Sequence, residues 1–150
     1  MTRRLVLDAN ILIRASLGSK VGHLILQAQR TCDLFTPEVC LRDAEKHLAH
    51  IAKSRSLPLE ALDRALRNAM ECVEVLASDF IEAHRALSQV LIRDLDDWPV
   101  LSAAIGLDAT VWSEDQDFFG TGVATLVCHN INAWLSRPEF GSLTADVAEH

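Results

Sequence analysis

Leu5-Val6-Leu7-Asp8-Ala9-Asn10 decides the fold. Three consecutive apolar residues suit a strand buried on both faces, as in a parallel sheet covered by helices on either side. The run stops in an aspartate and an asparagine, and 11–17 then reads as a helix halted near Gly18. Working outward, the same alternation repeats. Further helices are expected over 21–30, 38–53, 59–70, 79–92, 97–106 and 130–135, with Asp96-Asp97-Trp98-Pro99 opening the sixth of the series and Gly106 ending it. Further strands are expected over 32–36, 73–76, 110–113 and 123–127. Short apolar strands alternating with helices pair in parallel through right-handed crossovers. The expected architecture is a three-layer α/β/α sandwich around a central, mostly parallel five-stranded sheet.

The chain has 150 residues, of which 49% are hydrophobic, enough for one domain with a substantial core and too apolar for disorder. No apolar run is long enough to span a bilayer, and the first one meets an acid at Asp8, unlike a secretory leader. Cys32, Cys40, Cys72 and Cys128 form no CxxC pair and read as reduced thiols in a cytoplasmic protein without a membrane role. Charge is unevenly placed. Residues 1–75 hold eleven Lys/Arg against nine Asp/Glu, whereas residues 76–150 hold three against twelve. Between Arg93 and Arg137 lie Asp94, Asp96, Asp97, Asp108, Glu114, Asp115 and Asp117 without one Lys or Arg. Such a stretch is either a solvated acidic face or a set of carboxylates that converge on a cation.

In parallel α/β sheets, ligands gather beyond the carboxyl ends of the strands. Asp8 follows the first strand, Asp115 and Asp117 follow the fourth, and Asp96 and Asp97 sit at a helix amino terminus that faces the same edge. Each has a purely structural alternative as a helix cap or turn former. Independent capping roles do not, however, predict that all of them share one edge. Aspartate-rich sites without His or Cys suit hard cations such as Mg²⁺ or Mn²⁺, which prefer oxygen ligands and keep several waters. None of the six histidines stands at a zinc-binding spacing with a cysteine, and His47 and His50 read as polar surface residues. Trp98, Trp112 and Trp134 have apolar neighbours and read as core residues before base-stacking ones. Gly120 and Gly122 read as turn residues, because the strand–loop–helix context of a phosphate cradle is missing.

Leu5-Val-Leu-Asp8-Ala-Asn10-Ile-Leu-Ile, Asp94-Leu-Asp96-Asp97-Trp98-Pro-Val-Leu and Val111-Trp112-Ser113-Glu114-Asp115-Gln-Asp117-Phe-Phe-Gly120 together resemble the PIN domain, in register from about Leu5 to Leu126. The chain is similar to the toxin halves of VapC-type toxin–antitoxin pairs, which are metal-dependent ribonucleases. The resemblance implies a nuclease domain over 1–136, with a tail over 137–150. It implies catalytic roles for Asp8, Asp43, Asp97 and Asp115, and metal ligation by Asp8, Asp97, Asp115 and Asp117. The family places an acid, usually Glu, five residues before a Leu on the helix after the second strand. Here Asp43 stands five before Leu48, one methylene shorter, while Glu45 lies about 200° further round the helix and cannot face the same way.

The implied cofactor is Mg²⁺ or Mn²⁺, which activates water, orients the scissile phosphate and neutralises charge. The implied partners are an RNA substrate, a cognate antitoxin protein and a second copy of the chain. Asn10 and Ser113 fall where they can orient Asp8 or touch phosphate. In a chain of net charge −7, phosphate contacts must be few and local, and Arg14, Arg42 and Lys46 are the cations placed to make them. Two other acidic-pocket classes fit poorly: a phosphoacceptor receiver needs a late lysine, absent from 94–150, and an Asp-x-Asp phosphatase needs an acid where Asn10 stands. The alternative from another class is a PIN-fold module that binds RNA or protein without catalysis. Its mark is loss of a core carboxylate, and only the Asp at position 43 leans that way.

Overall fold

The computed structural model describes residues 2–137, so all but the first residue of the expected tail lies outside the described residues. Five strands, β1 (Arg3–Leu7), β2 (Cys32–Pro37), β3 (Val73–Leu76), β4 (Thr110–Trp112) and β5 (Thr125–Leu126), form one sheet in the order β3-β2-β1-β4-β5. Every neighbouring pair is parallel, with Leu5 opposite both Leu34 and Thr110. The chain builds outward from β1 through β2 to β3, then returns to the other side of β1 for β4 and β5. The order therefore reverses between β1 and β4, and a crevice opens at their carboxyl ends.

Alternation along the strands splits the core in two. Leu5, Leu7, Leu34 and Trp112 face α1 (Ala9–Leu17), α2 (Ser19–Ala28), α3 (Glu38–Ser54), α4 (Leu59–Met70) and α8 (Ile131–Leu135). Val6, Phe35 and Val111 face α5 (Ser78–Glu82) and α7 (Trp98–Leu107), and α6 (Arg85–Leu91) packs on α7. The three layers expected from the sequence are present. Trp112 is fully buried, whereas Trp98 and Trp134 are half-buried and carry guanidinium groups over their rings, Arg85 at 4.8 Å and Arg3 at 4.3 Å. Cys32 and Cys40 are buried, and Cys72 and Cys128 are half-buried.

Local details depart from the sequence reading. The helix expected over 79–92 is two helices, broken at Ala83 and His84, where the His84 backbone leaves helical geometry at φ −118°, ψ 21°. The break falls where α7 passes closest: a Cβ on Gly106 would lie 3.1 Å from the Phe80 ring and 3.2 Å from that of His84. Gly106 thus permits close packing and does not end its helix. α7 runs on to Leu107, and Asp108 makes the left-handed cap at φ 52°. β2 extends through Pro37, and β5 is shorter than expected. At the amino edge, Arg3 donates to the carbonyls of Trp134 (2.8 Å) and Leu135 (3.2 Å), and Arg4 to that of Leu107 (2.8 Å). These two arginines seal the carboxyl ends of α8 and α7, where helix dipoles favour cations.

Candidate metal centre

Asp8 leaves β1 at the crevice and caps α1, its Oδ1 accepting from the Ala9 amide at 2.7 Å. Its other oxygen, Oδ2, accepts from the Ser113 hydroxyl at 2.7 Å and from Asn10 Nδ2 at 3.2 Å. Ser113 follows β4 and is fully buried; its Oγ also accepts from the Asp115 amide at 2.9 Å and from Asn10 Nδ2 at 3.2 Å. Asn10 completes the brace, its Oδ1 accepting from the Glu114 amide at 3.2 Å. Asn10 and Ser113, for which the sequence left open orienting Asp8 or touching phosphate, hold Asp8 to the β4 loop.

The other carboxylates arrive on two similar turns. Asp94 accepts from the Asp96 amide at 3.0 Å and starts a 3-10 turn over Leu95–Asp97, and Asp115 accepts from the Asp117 amide at 2.9 Å and starts another over Gln116–Phe118. Structural capping and site building therefore coincide in the same residues. Asp8, Asp97 and Asp115 each present an oxygen within 4.8 Å of the others, and Asp94, Asp97 and Asp117 do the same. Asp97 belongs to both groups. Asp94 carries no site role in the sequence reading, although its position three before Asp97 on one turn is the signal that finds it. Arg93 is likewise new to the site: it donates to the Gln116 carbonyl at 2.7 Å, lies 3.8 Å from Asp117, and so joins the two turns.

Electrostatics make this cluster costly without a cation. Burial pushes the Asp8 carboxyl above its ordinary range, although the Ser113 and Ala9 hydrogen bonds pull the other way. Asp97 is pushed up to about 8, first by burial, then by its contact with the Asp115 carboxyl and the charges of Asp8, Asp115 and Asp94. Its Oδ2 is buried and has no hydrogen-bond partner among the described residues. A buried carboxylate oxygen with no donor, ringed by like charges, fits a hard divalent cation.

A model of the PIN domain family matches residues 6–136. The chain belongs to the PIN domain family. PIN domains are generally nucleases that use divalent metals. No curated protein sequence matches the chain. Solved structures with this fold include VapBC2 of Rickettsia felis, crystallised with a DNA fragment from its promoter, at 15% identity and TM-score 0.65, covering 83% of this chain and 98% of that one. PAE2754 of Pyrobaculum aerophilum shares 15% identity at TM-score 0.70, covering 90% of each chain. FitAcB of Neisseria gonorrhoeae shares 15% at TM-score 0.55, covering 83% of this chain and 98% of that one.

The remaining sequence candidates of this PIN domain fall at different distances from the cluster. Asp43 is exposed on the first turns of α3; it lines a cavity with Asp96, and its charge reaches Asp8. Glu45 lines a separate cleft against Leu59, Asp63 and Arg67 of α4. Arg42 lines the same cavity as Asp43. Lys46 is exposed one turn further along α3 and does not line that cavity. Arg14 is exposed on α1, and its charge reaches Glu114. Burial raises the Glu114 carboxyl, but hydrogen bonds from Cys128, one of them 2.6 Å from the amide, and the Arg14 charge leave it below its ordinary range.

Proposed function

We propose that this PIN domain is a divalent-metal-dependent endoribonuclease that hydrolyses RNA phosphodiester bonds, and that it is the toxin of a toxin–antitoxin pair. The convergence of Asp8, Asp97 and Asp115 oxygens within 4.8 Å, one of them buried without a partner, carries the reading. In it, those three residues hold Mg²⁺ or Mn²⁺, and Asp117 flanks them. When bound, the ion activates water and neutralises charge on the phosphate. Ser113 and Asn10 keep Asp8 and the Asp115 turn in register, so the carboxylates need no rearrangement when a cation arrives. Asp43, whose charge reaches Asp8, takes a proton from the attacking water. Arg14, Arg42 and Lys46 contact phosphates that flank the scissile bond.

The pairing with an antitoxin rests on the likeness to VapBC2 and FitAcB. An apolar surface on α6 and its exit, Leu87 (50% exposed), Val90 (82%) and Leu95 (61%), supports a protein partner such as a second copy of the chain. The deciding experiment is cleavage of a mixed RNA with Mg²⁺, Mn²⁺ or excess chelator, using Asp97→Asn as control. Metal-dependent cutting lost in that variant is expected; full cutting in chelator or in Asp97→Asn would sink the assignment. A salt titration of RNA affinity should give a shallow slope that falls by about one to two in Arg42→Ala/Lys46→Ala.

A further inference from the structure

Beside the carboxylate cluster, on the β2–β3 side, lies a cavity of about 550 Å³. One half is apolar, walled by Pro37, Leu76, Ile81 and the half-buried Trp98. The other half is acidic: Glu38, Asp43, Glu82 and Asp96 line it against a single cation, Arg42. Arg85 lies over the Trp98 ring at 4.8 Å and also donates to both Glu82 oxygens, at 3.2 and 3.4 Å. Wall and carboxylate are thus held in place before anything binds, and the Glu82 charge is offset. Glu38 differs: it is half-buried in the first turn of α3, and its carboxylate makes no hydrogen bond or ion pair with the described residues.

Apart from Arg42, such a lining repels phosphate. It suits a flat, partly apolar group that presents hydrogen-bond donors, because ionised carboxylates only accept. Among the RNA bases, guanine alone places two adjacent donors, N1–H and the N2 amine, on one edge, matching both oxygens of a carboxylate. Adenine and cytosine set an acceptor beside their amine, and uracil flanks its single donor with acceptors, so each would meet lone pairs with lone pairs. Single-stranded RNA is commonly read by stacking on an aromatic ring and bonding on the Watson–Crick edge. Asp43 and Asp96 line the cavity, Asp96 next to Asp97 in the chain and Asp43 near enough for its charge to reach Asp8, so a base in the cavity belongs to a nucleotide next to the phosphate on those acids.

We propose that this cavity is a guanine-binding subsite, with Glu38 accepting from the Watson–Crick edge and Trp98 packing against the base. The proposal deepens the ribonuclease reading, and its test separates the two. Affinity is measured by tryptophan fluorescence for pentauridine and for pentamers whose central residue is guanosine, adenosine or cytidine. The protein is the Asp97→Asn variant, which the reading makes unable to cut, with Trp98→Phe added in parallel to isolate the Trp98 signal. The guanosine pentamer should bind about tenfold tighter than the other three, as one bidentate base contact typically allows, and quench Trp98. Adding Glu38→Gln, whose amide replaces one acceptor with a donor, should bring it level with pentauridine while the melting temperature confirms folding. Trp98→Leu, which lacks that signal and is read by anisotropy of the same pentamers carrying a 5′ fluorescein, should weaken the guanosine pentamer by a similar factor. Equal affinity for all pentamers, or an undiminished guanosine preference in Glu38→Gln, overturns the subsite. So does quenching of Trp98 by N-acetylarginine amide and not by RNA, which would assign the cavity to a cationic side chain of a protein partner. With the unsubstituted chain and Mn²⁺, cutting that ignores guanosine overturns the subsite and leaves the nuclease reading. Guanosine-selective binding without metal-dependent cutting does the reverse.

Discussion

Replacing Asp97 with asparagine should stabilise the metal-free protein, and increasingly so as the pH rises. In the fold the Asp97 carboxyl is pushed up to about 8 by burial and by Asp115, Asp8 and Asp94, whereas in the unfolded chain it titrates in the ordinary carboxylate range. Between those two values the folded state binds a proton that the unfolded state has released. Stability therefore falls as the pH rises through that window, and the loss is complete above about 8. For a dry group so large a displacement would be worth several kcal/mol, but this carboxyl is half-exposed and solvent-screened, which reduces the expected loss to about 2 kcal/mol. For a domain of this size that is a difference of about 4–8 °C in melting temperature.

The assay is thermal or urea unfolding in chelator at about pH 5.5 and pH 9, wild type against Asp97→Asn, read as the difference between the two proteins. The variant should exceed wild type by less at the lower pH, where only part of that window has been crossed, than at the higher. Millimolar Mg²⁺ or Mn²⁺ should reverse the ranking at high pH, because an ion that binds only the folded state stabilises it by mass action and the variant lacks one ligand. A difference that does not change with pH, or the same gain from metal in both proteins, would mean that Asp97 neither meets its neighbours in space nor holds the ion.

Other outcomes follow from the same contacts. Asp115→Asn should raise the melting temperature in chelator by relieving repulsion within the cluster, and abolish cutting in metal; a drop in chelator would contradict this. Ser113→Ala removes the hydroxyl that ties Asp8 to the Asp115 amide and should weaken Mn²⁺ binding by about 10–100-fold in calorimetry, while Ser113→Thr keeps most of the affinity. Arg3→Met should cost about 1–2 kcal/mol in urea unfolding, since it uncaps α8 and removes the guanidinium from the Trp134 ring. Gly106→Leu should cost at least about 2 kcal/mol through overpacking against Phe80 and His84. Gly106→Ala, where helix propensity offsets part of the crowding, should cost less than about 1 kcal/mol.

Much of this protein was legible along the chain, for a physical reason. A strand buried on both faces must be apolar throughout, so Leu5-Val6-Leu7 announced a parallel sheet, and an acid directly after such a strand, as at Asp8, can lie only at the carboxyl edge. The three aspartate motifs stood out because hard-cation chemistry needs carboxylates, and these are rare at strand ends for any other purpose than capping. Tertiary structure settled what depends on contacts between distant segments. Linear spacing could not separate capping from site building, and folding shows that Asp8, Asp94 and Asp115 cap their own turns while the cluster forms around Asp97. Periodicity could not see that α7 crowds the segment over 79–92, so it missed both the break at His84 and the packing role of Gly106. Asn10 and Ser113, 103 residues apart, meet at 3.2 Å because β1 and β4 are neighbours in the sheet, a pairing decided by topology. Side-chain direction on α3 was half visible: 100° per residue separates Asp43 from Glu45, but only the placement of α4 and β2 shows which of the two turns toward the acids.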